Sequence, residues 1–202
     1  SINQNFYSSY AKSINYKDNF TSIGNISFID MGYNKTSITH YDENEIIFLQ
    51  VLPIGGNYIT KDLSKVLNID LAEAEKIKID FVKNKSGSID KNFSLDLIQK
   101  IIFARVEEIL ELCDKSIKLN RNLEKSSKFK MVLMGEGSKI LDNKFKEKIS
   151  FPQEIDLLEE TKIDICNSAF KLLDGSNKQE VVIIPKKLLK EGFFEKLFHF
   201  FK

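Results

Sequence analysis

Tryptophan is absent from this 202-residue chain, and only two histidines, two cysteines and three prolines are present. Cys113 and Cys166 stand far apart without metal-ligand neighbours, so there is no zinc-spaced set. Buried, reduced thiols of a cytosolic protein are the expectation. No Ser-His-Asp or Cys-His set exists either. His40 ends a strand-like run, where a surface position is expected, and His199 lies near the end of the chain. The formal charge of +1 offers no strong field to nucleic acid, which is not an expected partner. No apolar run is long enough to span a bilayer, and no secretory signal opens the chain. The first residue is Ser and no element starts there, so a fragment or processed chain is expected, with further motifs upstream.

What is present is ordinary for a globular protein: 42% hydrophobic and 29% charged residues, enough for one domain or two small lobes. Phe6, Tyr7 and Tyr10 fall at near-helical spacing, which predicts a short helix and then a loop. Strands are predicted at Asn25–Gly32, Thr36–Tyr41 and Glu45–Pro53, joined by short polar turns that suit antiparallel neighbours. Pro53 and Gly55-Gly56 end that pattern. A helix follows over Tyr58–Leu67, with Ile59, Leu63, Val66 and Leu67 on one face. Asp70 caps another over Leu71–Phe81, with Leu71, Ala74, Ile77, Lys78 and Phe81 on one side. Residues 83–92 read as a polar loop or small hairpin. Ser94 caps a long helix over Leu95–Leu119, in which Ile98, Ile102, Val106, Ile109, Leu110, Cys113 and Ile117 recur at three and four. The charged stretch Asn120–Lys128 leads to a strand, Phe129–Met134, and the turn Gly135-Glu136-Gly137-Ser138. The last predicted helix before a linker is Lys162–Leu173, closed by Gly175. The lone late strand needs the three early ones as its sheet, so the helical block between them reads as an insertion.

Three segments, in this order, resemble the second half of the FtsA family of actin-like cell-division proteins. Ile29-Asp30-Met31-Gly32 with Thr36-Ser37-Ile38 resembles the second phosphate hairpin of the actin, Hsp70 and sugar-kinase superfamily. Leu52-Pro53-Ile54-Gly55-Gly56-Asn57-Tyr58-Ile59-Thr60-Lys61-Asp62-Leu63, followed by Ala72 to Lys78, resembles the family's passage from its third strand into two helices. Met131-Val132-Leu133-Met134-Gly135-Glu136-Gly137-Ser138-Lys139-Ile140 resembles the adenosine-contact strand and turn. Each is weak alone, and their order supplies the strength.

The resemblance implies an α/β fold: an actin-like, ribonuclease-H-like second half, a sheet with flanking helices and an inserted smaller lobe. Residues 1–53 and 120–176 would form that sheet domain and 54–119 the insertion. A linker, 177–191, and an amphipathic helix, 192–202, would close the chain. ATP and Mg²⁺ are the implied cofactors. Asp30, Gly32, Asn34, Lys35 and Thr36 would meet the phosphates, and Asp30 would hold Mg²⁺ through water. Gly55, Gly56 and Asn57 would present helix-start N–H groups to anions. Glu75 and Lys78, three apart on one helix face, would meet ribose or base. Gly135, Glu136, Gly137 and Ser138 would flank the adenine. The hairpin departs from the family's Asp-x-Gly-Gly-Gly-Thr, since Tyr33, Asn34 and Lys35 replace two glycines and a hydroxyl residue. Turnover is therefore expected to be slow or absent.

The end of the chain carries a second signal. On a helical wheel of about 100° per residue, Phe193, Phe194, Leu197, Phe198, Phe200 and Phe201 fall within a sector of about 160°. Glu195, Lys196, His199 and Lys202 lie opposite, and Lys186, Lys187 and Lys190 come just before. Such a stripe suits the surface of an anionic membrane; docking on a partner groove or on the protein's own body is the alternative. The resemblance implies a protein on the cytoplasmic face of the inner membrane at the division site. It would tether the C-terminal tail of FtsZ, with Arg105 in that contact, polymerise with itself and recruit other division proteins. A phosphotransferase or chaperone ATPase, a pilus-assembly scaffold and a nucleotide-free membrane scaffold are the competing classes.

Overall fold

The computed structural model describes residues 8–20, 23–43, 45–83, 89, 93–121, 128–141, 145 and 151–173. Gly175, the linker 177–191 and the phenylalanine stripe of 192–202 lie outside the described residues, as does most of the segment 83–92.

The order is α1 (Ser8–Lys17), a 3₁₀ turn (Asp18–Phe20), β1 (Asn25–Met31), β2 (Thr36–Asp42) and β3 (Glu45–Leu52). Then come α2 (Gly56–Leu67), α3 (Leu71–Val82), α4 (Leu95–Arg121), β4 (Lys130–Met134), a 3₁₀ helix (Glu136–Ile140), β5 (Glu154–Leu157) and α5 (Lys162–Leu173). The five strands form one sheet in the order β3-β2-β1-β4-β5. The early strands pair antiparallel, β1 with β2 and β2 with β3. β4 joins β1 in parallel, so the chain crosses over between β3 and β4, and the block α2–α4 is that crossover.

Strand alternation sorts the core into two layers. Ile29 and Met31 of β1 and Met131 and Leu133 of β4 join the cluster built with α2, α3 and α4. Ile26, Phe28, Val132 and Met134 turn to the other face, with Tyr16 of α1 and Tyr41. α1 and α5 pack on each other. The stripe predicted for α4 holds throughout: Ile98, Ile102, Val106, Ile109, Leu110, Cys113 and Ile117 are fully buried. Asp70 caps α3 as expected, accepting from the N–H groups of Ala72 and Glu73 at 2.8 and 2.9 Å, a contribution of about 1 kcal/mol. At α4, the Leu97 N–H reaches the Ser94 hydroxyl at 3.4 Å.

Several expectations are corrected. His40 is fully buried: its Nδ1 lies 2.7 Å from the Ser27 hydroxyl and its ring stacks on Phe48. A strand end is no guide to exposure when both faces of the sheet are covered. Cys113 is buried, but Cys166 is exposed on α5. Val66 and Leu71 are more than half exposed, because each sits at an end of its helix, away from the centre of packing. β5 was not anticipated. It is a four-residue edge strand, paired in parallel with β4 and marked only by Ile155 and Leu157 in alternation.

Candidate functional site: a cleft at the hairpin tip

β1 and β2 meet in a tight turn, with the Gly32 N–H donating to the Lys35 carbonyl at 2.9 Å. This turn lies against the start of α2. The N–H groups of Gly56 and Asn57 donate to the carbonyls of Gly32 and Tyr33 at 3.0 and 2.7 Å. The Asn57 side chain reaches Asn34 at 3.2 Å. These helix-start amides hold the hairpin rather than face an open anion cradle. Gly55 makes the approach possible: a Cβ there would stand 2.5 Å from the Gly32 carbonyl oxygen and 2.8 Å from the Lys35 nitrogen. The Thr36 hydroxyl, fully buried, donates to the Ile54 carbonyl at 2.7 Å and is likewise structural.

Beside the turn opens a cleft of about 460 Å³. Of the predicted residues, Gly32, Gly56, Glu75, Lys78, Glu136 and Gly137 line it. Tyr33 at its mouth is half exposed. The sequence reading missed the apolar walls Ile59, Ile79, Val82 and Ile140 and the rim lysines Lys83 and Lys139. Their signal was the i, i+3, i+4 spacing that carries α3 from Glu75 and Lys78 to Ile79 and Val82. Asp30, Asn34, Lys35, Thr36, Gly55, Asn57, Gly135 and Ser138 lie outside this lining and serve the loops around it.

Lys78 is the buried charge of the cleft. Its ammonium donates to Glu75 Oε2 at 2.7 Å, Thr60 Oγ1 at 2.9 Å and the Gly56 carbonyl at 3.2 Å. It also lies 5.4 Å from the centre of the Tyr33 ring, within cation–π range. The Thr60 hydroxyl donates to the same Glu75 oxygen. Thus α2, α3 and the hairpin are locked around one ammonium. Opposite, the Ser138 hydroxyl turns back to the Gly135 carbonyl at 2.7 Å, while Glu136 is exposed and pairs with Lys139 at 2.6 Å. Gly135 has φ +89, a left-handed conformation that favours glycine, and a Cβ there would collide with Asp30 Oδ1. The cleft thus combines apolar walls, one aromatic side chain and charged side chains of both signs.

Arg105 stands apart, on α4. Its guanidinium forks onto Asp62 of α2, reaches Glu108 at 2.6 Å and lies 5.8 Å from the Tyr58 ring centre.

This mixed sheet, with the hairpin tip and the β4 turn at one end, is an actin-like fold. It is similar to MreB5 of Spiroplasma citri bound to AMPPNP: TM-score 0.58, 15% identity, 83% of this chain and 58% of that one. It is also similar to the chain in the PilM–PilN type IV pilus biogenesis complex, with TM-score 0.52, 18% identity, and 73% and 40% covered. At such identities the likeness shows the fold alone. Residues 27–146 match the family model of the cell division protein FtsA, and the chain belongs to the FtsA family of cell-division proteins. Curated relatives agree: FtsA of Buchnera aphidicola subsp. Acyrthosiphon pisum is 29% identical over 202 residues, 86% of this chain and 48% of that protein. FtsA of Enterococcus faecalis is 35% identical over 97 residues, 41% of this chain and 22% of that protein. The chain spans about half the length of the Buchnera relative.

Proposed function

We propose that this chain is the part of an FtsA-type protein that holds a nucleoside triphosphate, ATP, and tethers FtsZ to the cytoplasmic membrane at the division site. The single observation that carries the reading is the cleft between the hairpin tip, α3 and the β4 turn, organised around Lys78. Its apolar walls would take the base, and Glu75 and Lys78 would face the ribose. Gly32 and Lys35 at the hairpin would stand toward the phosphates. ATP would then control actin-like self-assembly. The family supports division partners in general, and the FtsZ tail is the particular partner proposed for the face that carries Arg105. The crossover block 54–119 would act as the inserted lobe. The stripe from Phe193 to Phe201, behind its lysines, supports attachment to an anionic membrane surface, where one short helix binds reversibly and several subunits together bind firmly.

Vesicle co-sedimentation tests this. FtsZ should pellet with anionic phospholipid vesicles when the chain is present and stay in the supernatant when residues 192–202 are deleted. Equal pelleting with both forms would remove the tether.

A further inference from the structure

The hairpin at the cleft carries Tyr33 and Asn34 where the family pattern has glycine. The backbone accepts both without strain: among the described non-glycine residues only Glu43 and Asn68 have positive φ. The turn itself is fixed. The Gly32 N–H donates to the Lys35 carbonyl at 2.9 Å, and the Tyr33 carbonyl accepts from the Asn57 N–H at 2.7 Å. What stays adjustable is the Tyr33 side chain, which lines the cleft, is 55% exposed and belongs to neither buried cluster. Its ring is held by the Lys78 ammonium, 5.4 Å from the ring centre. An exposed cation–π contact is weak enough for a ligand to exchange.

Lys78 is the lining lysine that stands beside the hairpin. Its three N–H donors go to Glu75, Thr60 and the Gly56 carbonyl, so the face under Tyr33 offers charge rather than a further hydrogen bond. Lys83 follows five residues later, about 7.5 Å along α3. Lys139 pairs with Glu136 at 2.6 Å. Lys12 adds nothing at this end: it pairs with Asp30 and Glu160 at 3.2 Å, outside the cleft lining. A phosphate chain entering beside Gly32 and the Lys78 ammonium would therefore take the place that the Tyr33 ring now holds.

We infer that Tyr33 is a specificity-determining residue at the hairpin end of the cleft, where its ring caps Lys78 and competes with the phosphate chain of a nucleotide. The nucleoside end, walled by Ile79, Val82 and Ile140, is left open. The ring thus lowers affinity for phosphate-bearing ligands and leaves that for the bare nucleoside untouched. The inference rests on the nucleotide reading of the cleft.

The test is calorimetric titration of the 202-residue chain with ATP and, separately, with adenosine, with circular dichroism to confirm folding. Tyr33→Gly should tighten ATP by about threefold to tenfold and change adenosine by less than about twofold. Tyr33→Phe, which keeps the ring, should match the wild type with both ligands. Should glycine loosen the turn, Tyr33→Ala removes the ring, keeps a Cβ and is read in its place. ATP affinity that does not rise when the ring is removed, or adenosine affinity that rises equally, would overturn the inference while leaving the cleft reading intact. Binding of neither ligand by any folded form would remove the nucleotide reading and the inference with it.

Discussion

Arg105 and Asp62 are joined by two hydrogen bonds, Nε to Oδ2 at 2.5 Å and a terminal nitrogen to Oδ1 at 2.9 Å, which link α4 to α2. A carboxylate of the chain itself therefore occupies the fork that an acidic peptide would need. Bidentate pairs of this kind are strong and directional. On the proposed function, an FtsZ tail would have to exchange with Asp62 or bind at the remaining edge. Asp62→Asn should tighten an acidic tail peptide by about threefold to tenfold, and Arg105→Ala should weaken it by a similar factor. Fluorescence anisotropy of a labelled peptide reads both. No change in either variant would place the peptide elsewhere.

The two cysteines should separate cleanly. Cys166 is exposed on α5, whereas Cys113 is buried in the α4 core, where burial, aided by Asp114, pushes its thiol well above the ordinary range. Under native conditions a disulfide reagent should modify one thiol quickly, with mass mapping to Cys166. The second should react only at the rate of unfolding.

Alkaline pH should destabilise the fold. Burial, aided by the nearby Asp164 and Glu160 carboxylates, pushes Tyr16 from its ordinary 10.0 up to about 12. Tyr41 is raised as well, by burial, against the opposing hydrogen bond to Ser13. Because the unfolded chain releases these protons first, stability is fully present below pH 10 and declines as pH rises toward 12. Denaturant midpoints at pH 9 and near pH 11 should differ in that direction. Tyrosinate absorbance in the native protein should lag behind that of the unfolded chain.

The centre of α4 should be the most sensitive part of the core. Ile109 is fully buried within the large cluster. Ile109→Ala should cost about 2–5 kcal/mol. Asp70→Ala, which removes only the α3 cap, should cost about 1 kcal/mol. Equal effects in chemical denaturation would contradict this ranking.

The fold was legible where periodicity is long and two-sided. The α4 stripe, the three early strands and the Asp70 cap are all local signals, and each stands where it was read. β5 was not legible, since four residues at a sheet edge carry too little pattern, and its parallel pairing depends on β4 already being in place. His40 was misjudged because burial of a strand residue depends on what covers the sheet. At the site, the spacing of Glu75 and Lys78 brought out one shared face. Their neighbours Thr60 and Gly56 enter only through the packing of α2 on α3. The Lys12–Asp30–Glu160 cluster joins residues 18 and 148 positions apart, so no local pattern reveals it. Gly55, Gly56 and Asn57 were read as an anion cradle, yet the Gly56 and Asn57 N–H groups donate to the hairpin carbonyls of Gly32 and Tyr33, a distinction that only three-dimensional register settles.

The most direct measurement is photolabelling of the chain with 8-azido-ATP, followed by peptide mapping of the adduct. The account predicts adducts on α3, within Leu71–Val82, or on the turn and 3₁₀ helix after β4, around Gly135 to Ile140, with unlabelled ATP suppressing both. Adducts confined to other segments, or labelling that excess ATP does not suppress, would contradict it.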